Sequence, residues 1–416
     1  MAKTIRLPQY AWFEPRKESF SFPEGWDITV RNISGHSKRA MKPEQVRAAV
    51  RSPIGMSPLR ELARGRKEVV VIFDDLTRCT QTSEVLPYVL EELKEAGIAD
   101  DRIRFIAAIA NHHALTRIDM VKKLGEDIVA RFPVFNHCPF LNCKEIGTTS
   151  FGTKVEVNAE VMFCDLKIAI GQIVPHPIYG LSGGGKMIMP GVSSYHSVMA
   201  HHGSLHQAWR RTRRDLGIVD SDAIEGNPFR ADALEIAKLA GLDMIVNTMV
   251  NSMGQTVALF AGTLEAAYPA AVKEAQPHYR AINTKDNDIV FANNFIKASE
   301  FMVPLAACSR AVKKEGGSIV VIDNSPSGQV VHYLYDNFGT SIAGDLFNPI
   351  TIAPNIKNAI IYNEFPEGRL RGRFADPNQV LITDKWSEVI ATLEKAHGPR
   401  AEVAIYPNAD TQYFDL

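Results

Sequence analysis

Two kinds of apolar spacing alternate along the chain. Residues 67–75 (KEVVVIFDD) are a β-branched run closed by two acids, the pattern of a parallel strand buried on both faces. Ser83 to Ala96 follow at helical spacing and stop at Gly97, a residue suited to the position just past a helix. Arg102–Ala110 predicts a second strand, and Thr116 to about Leu124 a second helix. This β-α-β-α order makes a parallel sheet the economical arrangement. Asp165–Val174 reads as a further buried strand, and Asp243–Val250 with Gln255–Ala261 as a hairpin across Asn251-Ser252-Met253-Gly254. Across Ala270–Asp288 the pattern weakens, which predicts a boundary. Beyond it come a strand (Ile289–Ala292), a helix over about Ala298–Lys313, strands at Ser318–Asp323, Ile356–Tyr362 and Val380–Thr383, a helix at Trp386–Ala396 and a last strand at Glu402–Tyr406. The expected fold class is therefore α/β with two domains. Residues 1–272 form an N-terminal domain with a mainly parallel sheet. Residues 273–401 form a smaller C-terminal α/β domain that closes over the ligand site, and 402–416 is a strand free to return to the first domain.

Composition narrows the class. Lys+Arg (46) and Asp+Glu (47) nearly cancel, giving a net charge of −1 over 416 residues and no electrostatic footprint for nucleic acid or an anionic membrane. Cys79, Cys138, Cys143, Cys164 and Cys308 are an odd, sparse set, better read as free thiols than as a disulfide framework. Cys138 and Cys143 are too loosely spaced for a metal site and are expected as two buried thiols. The N-terminal MAKTIRLPQYAWFEP has no apolar core of a signal peptide, and no apolar run approaches the roughly 20 residues needed to cross a bilayer. A cytoplasmic protein is expected; the oligomeric state stays open, a homo-oligomer included.

In an open parallel sheet, ligands sit at the carboxyl ends of the strands. Three predicted ends carry polar groups: Asp74-Asp75-Leu76-Thr77-Arg78, Asn111-His112-His113, and Pro175-His176 followed by a glycine cluster. Parallel strands place all three on one edge. Of 12 histidines, eight fall between positions 112 and 206: His112, His113, His137, His176, His196, His201, His202 and His206. Imidazole supplies acid–base groups near neutral pH and neutral metal ligands. His137, His196 and His206 are expected to cap helices or fill polar cores.

The glycine segment runs Gly180-Leu181-Ser182-Gly183-Gly184-Gly185-Lys186-Met187-Ile188-Met189-Pro190-Gly191. It fits the G-x-x-x-x-G-K start of a P-loop. However, Met187 stands where a hydroxyl should reach magnesium, and Pro190 falls early in the required helix. A P-loop-like nucleotide hydrolase is thus the weaker alternative, with a non-catalytic nucleotide-binding module beside it. The G-x-S-x-G elbow fits less well, because Pro175 and Pro177 interrupt the strand it needs. A histidine zinc hydrolase lacks a compact ligand spacing. A third reading is a phosphate-cradling loop whose lysine is a chemical attachment point.

Together DDLTR (74–78), NHH (111–113), GTTSFGTKVEVN (147–158), VPHPIYGLSGGGKMIMPGVSS (174–194), MAHH (199–202) and SRAVKKEGGSIVVI (309–322) resemble the nickel-pincer-nucleotide-dependent lactate racemase family of 2-hydroxyacid racemases and epimerases. The resemblance implies an isomerase carrying a pyridinium-3-thioamide-5-thiocarboxylic acid mononucleotide with Ni(II), made by cofactor-biosynthesis proteins. It implies that Lys186 tethers the cofactor and His202 binds nickel. His112 and His176 match the acid–base pair. Asp75 and Arg78 match residues at the ribose and phosphate end, and Ser182, Gly183 and Gly184 match the cradle. The implied reaction moves hydride reversibly from C2 of a 2-hydroxy acid through a 2-keto acid. The family pattern Thr-Gly-x-His-Arg-Pro reads Ile109-Ala110-Asn111-His112-His113-Ala114 here, so His113 stays open beside His112. The glutamine and lysine that hold lactate in the family fall on Glu300 and Val303. The sequence therefore points away from lactate and toward a larger hydroxylated acid such as an aldonate, with Asn111, His113, Lys297 and Glu300, and also Asn293 or Asn294, as candidate substrate residues.

Overall fold

A computed structural model describes residues 3–205, 207, 209, 226–282, 286–338, 342–365 and 367–414. The chain divides into two compact units, residues 38–251 with 255–277, and residues 1–37 with 252–254 and 278–416.

The first unit is built on a six-stranded sheet. Its order is Thr256–Gly262, Met244–Val250, Leu166–Gln172, Val69–Asp74, Ile103–Ala108, Val134–Asn136. Every neighbouring pair is parallel except the hairpin of Met244–Val250 with Thr256–Gly262. Val69–Asp74 and Leu166–Gln172 are buried throughout and mostly apolar, with Lys167 and Gln172 the polar positions of the second and Asp74 closing the first. The Thr82–Glu95 helix lays Val85, Leu86, Val89 and Leu93 on this sheet, each 0% exposed. Burial of each such side chain contributes about 1.5–3 kcal/mol. Gly97, at φ +84°, lets the chain leave the helix. The Arg117–Leu124 helix begins with a capping box, Thr116 accepting from the Asp119 N–H and Asp119 from the Thr116 N–H.

The second unit carries an all-parallel sheet in the order Val380–Thr383, Ile356–Tyr362, Gly317–Ile322, Ile289–Asn293, Glu402–Tyr406, Asp27–Val30. An N-terminal hairpin, Lys3–Gln9 with Arg16–Phe22, adds Phe20 and Phe22, which meet Trp386 edge-on at 4.8 and 5.6 Å.

The expected domain limits need correction in three places. Glu402–Tyr406 lies between Ile289–Asn293 and Asp27–Val30, so it does not return to the N-terminal sheet. Residues 1–37 belong to the second unit. The predicted boundary across 270–288 begins inside a helix, Leu264–His278, whose Ala267, Ala271 and Ala275 are each 0% exposed. Small alanines four apart gave a weak apolar signal, and Pro269 and Pro277 broke it further. The Met302–Cys308 helix is shorter than Ala298–Lys313, since Phe301 precedes its first turn and a tighter turn, Ser309–Ala311, ends it. Cys138 is exposed and Cys143 partly so, contrary to the expected buried pair. Among the described residues, no helix is long and apolar enough to cross a membrane.

Candidate active site

The carboxyl ends of Val69–Asp74, Ile103–Ala108 and Leu166–Gln172 are adjacent, and the loops that leave them are tied together. Ala110 N–H donates to Gly191 O at 2.9 Å, and Gly191 N–H to Lys186 O at 3.1 Å. The His112 loop is thereby fastened to the glycine segment.

At the first end, buried Lys123 donates to Asp74 Oδ1 at 2.7 Å, to Arg78 O at 2.8 Å and to Thr80 O at 3.2 Å. Burial pushes the Asp74 carboxyl up, and the Lys123 ammonium opposes that rise. This lysine pins the whole 74–80 loop, a role its position in a helix did not announce. Asp75 accepts from Thr77 N–H at 3.0 Å and from the Thr77 hydroxyl, and its Oδ2 lies 2.6 Å from His112 Nδ1. Burial would raise the Asp75 carboxyl, but the His112 charge and hydrogen bond, with Thr77 and Arg78, hold it well below the usual carboxylate range. Arg78 Nη1 donates to Thr77 O and Thr77 Oγ1 at 2.8 and 2.9 Å.

At the second end, Ala110 holds φ at +51°, a left-handed conformation where the family pattern has glycine. His112 is the partly buried partner of Asp75, whereas His113 is exposed. Asn111 is 0% exposed, and neither its amide oxygen nor its amide nitrogen has a hydrogen-bond partner. Gln172, 2% exposed at the third end, is in the same situation.

At the third end, Pro175–His176 pairs with Gly180–Leu181, turning the chain back on itself. Backbone N–H groups of Ile178 and Tyr179 donate to His176 Nδ1 at 3.2 and 3.4 Å. A neutral ring with Nδ1 accepting carries its proton on Nε2. That nitrogen faces Lys186 Nζ at 3.3 Å. A lysine amine acts as a nucleophile in its uncharged form. Lys186 Nζ also lies 3.6 Å from the centre of the Tyr179 ring.

The glycines do other work than forming a P-loop. Ser182 Oγ donates to Gln172 O at 2.8 Å and accepts from Val174 N–H at 3.0 Å, so its hydroxyl fastens the loop to the strand end. Gly184 N–H is given to Asn247 Oδ1 at 3.0 Å, and a Cβ at Gly183 (φ +81°) would collide with that same oxygen. After one tight turn, Gly184–Met187, no long helix follows.

The Tyr195–Ala200 helix opens on Ser194, whose hydroxyl caps Ser197 N–H at 3.2 Å, and passes into a widened turn over His201–Leu205. His202 is 6% exposed there, its ring 6.0 Å from that of Tyr179. His201 is fully buried, with Nδ1 2.6 Å from Asp232 Oδ2 and Nε2 2.6 Å from the Tyr179 hydroxyl. Burial holds the His201 imidazole low despite Asp232. Asp232 is held below the carboxylate range, because bonds from His201 and Thr153 outweigh its burial. Tyr179, Asp232, Asn247 and Lys123 were missed in the sequence, since each is an ordinary residue type placed by tertiary structure alone.

His137 is structural as expected, its Nε2 2.9 Å from Ser193 O and its Nδ1 3.2 Å from Asn158 Nδ2. His196 is exposed on the first turn of its helix, and His206 lies outside the described residues. Lys297 and Glu300 lie in the second unit. Lys297 is buried with its N–H on Asp410, and Glu300 and Val303 line a small hollow with Gln329 and Arg373. Asn293 and Asn294 are buried and hydrogen-bonded to Pro8 O and Asp323 respectively. In the first unit, a cavity of about 790 Å³ opens beside Lys186, walled by Tyr179, Gly183, Arg230 and Tyr268. Arg230 is a cation there that the sequence reading passed over.

Residues 13–213 match the lactate racemase N-terminal domain family. Lactate racemase of Thermoanaerobacterium thermosaccharolyticum is 31% identical over 313 residues, covering 72% of this chain and 70% of that protein. Lactate racemase of Lactiplantibacillus plantarum is 26% identical over 412 residues, covering 91% and 92%. The fold matches the solved lactate racemase apoprotein from T. thermosaccharolyticum across both whole chains (TM-score 0.74, 23% identity). It also matches a protein from Thermotoga maritima over 91% of this chain and 99% of that one (TM-score 0.65, 17% identity). With that relationship added to the geometry of the sheet edge, the chain belongs to the lactate racemase family and is an isomerase.

Proposed function

We propose that the chain inverts C2 of a 2-hydroxy acid, using a nickel-pincer nucleotide tethered on Lys186 and ligated by His202. The carrying observation is the arrangement of two histidines on one sheet edge, with the Nδ1 of one held by a carboxylate and the Nδ1 of the other by backbone N–H groups. His112 Nδ1 is committed to Asp75, leaving Nε2 as an acceptor; His176 Nδ1 accepts from backbone, leaving Nε2 as a donor beside Lys186. One imidazole would take the proton of the substrate hydroxyl, and a protonated imidazole would return it, as inversion through a keto acid requires.

The residues fit the absent group. Asn111 and Gln172 offer unpartnered buried amides on that edge, Lys186 presents its amine, and His202 supplies an imidazole suited to nickel. When bound, the nucleotide supplies a ring that accepts and returns hydride at C2. This chain's part is orientation and proton handling. Asp75 holds the His112 ring and stabilises the imidazolium that forms when the hydroxyl proton arrives. Arg78, at the first strand end, and Arg230, in the cavity wall beside Lys186, are cations of the type that holds a phosphate.

Glu300 and Val303 cannot hold a substrate carboxylate as glutamine and lysine would, which supports a larger hydroxylated acid such as an aldonate over lactate. The test is production of the chain together with the cofactor-making proteins. Peptide mass analysis then reads Lys186, and a panel from lactate and malate to six-carbon aldonates is followed by stereospecific analysis. An adduct on Lys186 with inversion of one panel member is expected. An active preparation without nickel or adduct overturns the proposal.

A further inference from the structure

One aromatic ring lies against three of the four side chains on which the proposed chemistry depends. The Tyr179 ring centre lies 3.6 Å from Lys186 Nζ, 5.3 Å from the His176 ring at an interplanar angle of 81°, and 6.0 Å from the His202 ring. Its own position is fixed from behind. The hydroxyl donates to His201 Nε2 at 2.6 Å, and His201 Nδ1–H donates to Asp232 Oδ2, also at 2.6 Å. Asp232 Oδ2 accepts again from Thr153 Oγ1 at 2.7 Å. Tyr179 is 1% exposed, and His201 and Asp232 are each 0% exposed.

A phenylalanine would fill this space equally well if the ring served only as core. The hydroxyl instead ends a fully buried chain, and buried hydrogen-bonded chains of this kind restrict rotation and translation of the groups they join. The ring's outer face carries the amine.

We propose that Tyr179 is a positioning residue for Lys186: the Asp232–His201 pair fixes its hydroxyl, and its ring holds the amine against His176. The geometric part is independent of the proposed tether; its consequence for cofactor attachment rests on that reading.

Reductive methylation of the cofactor-free chain with ¹³C-formaldehyde turns each lysine amine into an NMR reporter. A methylated amine over a ring face resonates upfield of exposed lysines. The Lys186 signal, identified by its loss in Lys186→Arg, is expected upfield in the native chain. In Tyr179→Phe it should move at least halfway to the position of exposed lysines, and in Tyr179→Leu the whole way. Asp232→Asn should reproduce Tyr179→Phe. If Asp232→Asn fails to fold, Tyr179→Phe, which removes a single oxygen, decides alone, with a thermal melt as control. A native signal among the exposed lysines, or one unmoved by Tyr179→Phe, overturns the proposal.

In chain produced with the cofactor-making proteins, the Lys186 adduct should fall about tenfold in Tyr179→Phe, since a small misplacement of a reacting group is costly. A native chain with the upfield signal but no adduct refutes the tether and supports the positioning role.

Discussion

The Asp75 carboxylate accepts from His112 Nδ1 at 2.6 Å, and this pairing distinguishes His112 from its exposed neighbour His113. A carboxylate on Nδ1 favours the tautomer that carries its lone pair on Nε2. Asp75→Asn presents an amide that can reverse the tautomer. Steady-state inversion by the loaded enzyme should fall about 10²–10⁴-fold in kcat, counted per Lys186 adduct formed. His113→Asn should change kcat by about twofold at most.

Ala110 should be a site of stored strain. A left-handed conformation costs a residue with a Cβ roughly 1–2 kcal/mol, and part of that returns through the greater freedom of glycine in the unfolded chain. Ala110→Gly is therefore expected to stabilise the protein by about 0.5–1 kcal/mol, read as a higher urea midpoint at unchanged m-value.

Lys123 supplies the ammonium beside buried Asp74. Lys123→Met strands that carboxyl without its charge partner, at a cost of about 3–5 kcal/mol. Asp74→Asn added to Lys123→Met should recover part of the loss. Equilibrium unfolding of the two single variants and the double variant measures the coupling.

Burial lowers the His137 imidazole to about 4. The unfolded chain takes up that proton near pH 6.5 while the folded chain stays neutral, so its contribution is complete above pH 6.5 and is lost as pH falls toward 4. The loss amounts to about 3 kcal/mol across that window. Below it, protonation of the depressed Asp75 and Asp232 removes more. Melting temperatures of the native chain should drop between pH 6.5 and 4, and His137→Gln, though less stable at pH 7, should show a shallower drop.

Much of this was legible in the residues alone. Val69–Asp74 and Leu166–Gln172 announce themselves because a strand buried on both faces is mostly apolar, with few polar positions. The convergence of three loops then follows from parallel order. Lys186, His112, His176 and His202 stood out as amines and imidazoles at predicted strand ends or beside glycine, and the family resemblance supplied the roles proposed for them. What stayed hidden was second-layer structure. Nothing in a helix reading 228–239 marks Asp232 as the anchor of His201, and nothing marks Asn247 as the partner of Gly184. The glycines suggested an anion cradle, while Gly183 is required by the close approach of Asn247. The N-terminal hairpin and the Asp27–Val30 strand were overlooked because exposed, charged positions interrupt their apolar alternation.

The pairing of Asp27–Val30 with Glu402–Tyr406 bears on biosynthesis. A nascent chain emerges at roughly 5–20 residues per second, so the first of these strands waits tens of seconds on the ribosome for its neighbour to be translated. Residues 38–277 can meanwhile assemble their own sheet. The sheet that pairs these two strands therefore closes only after residue 406 has emerged.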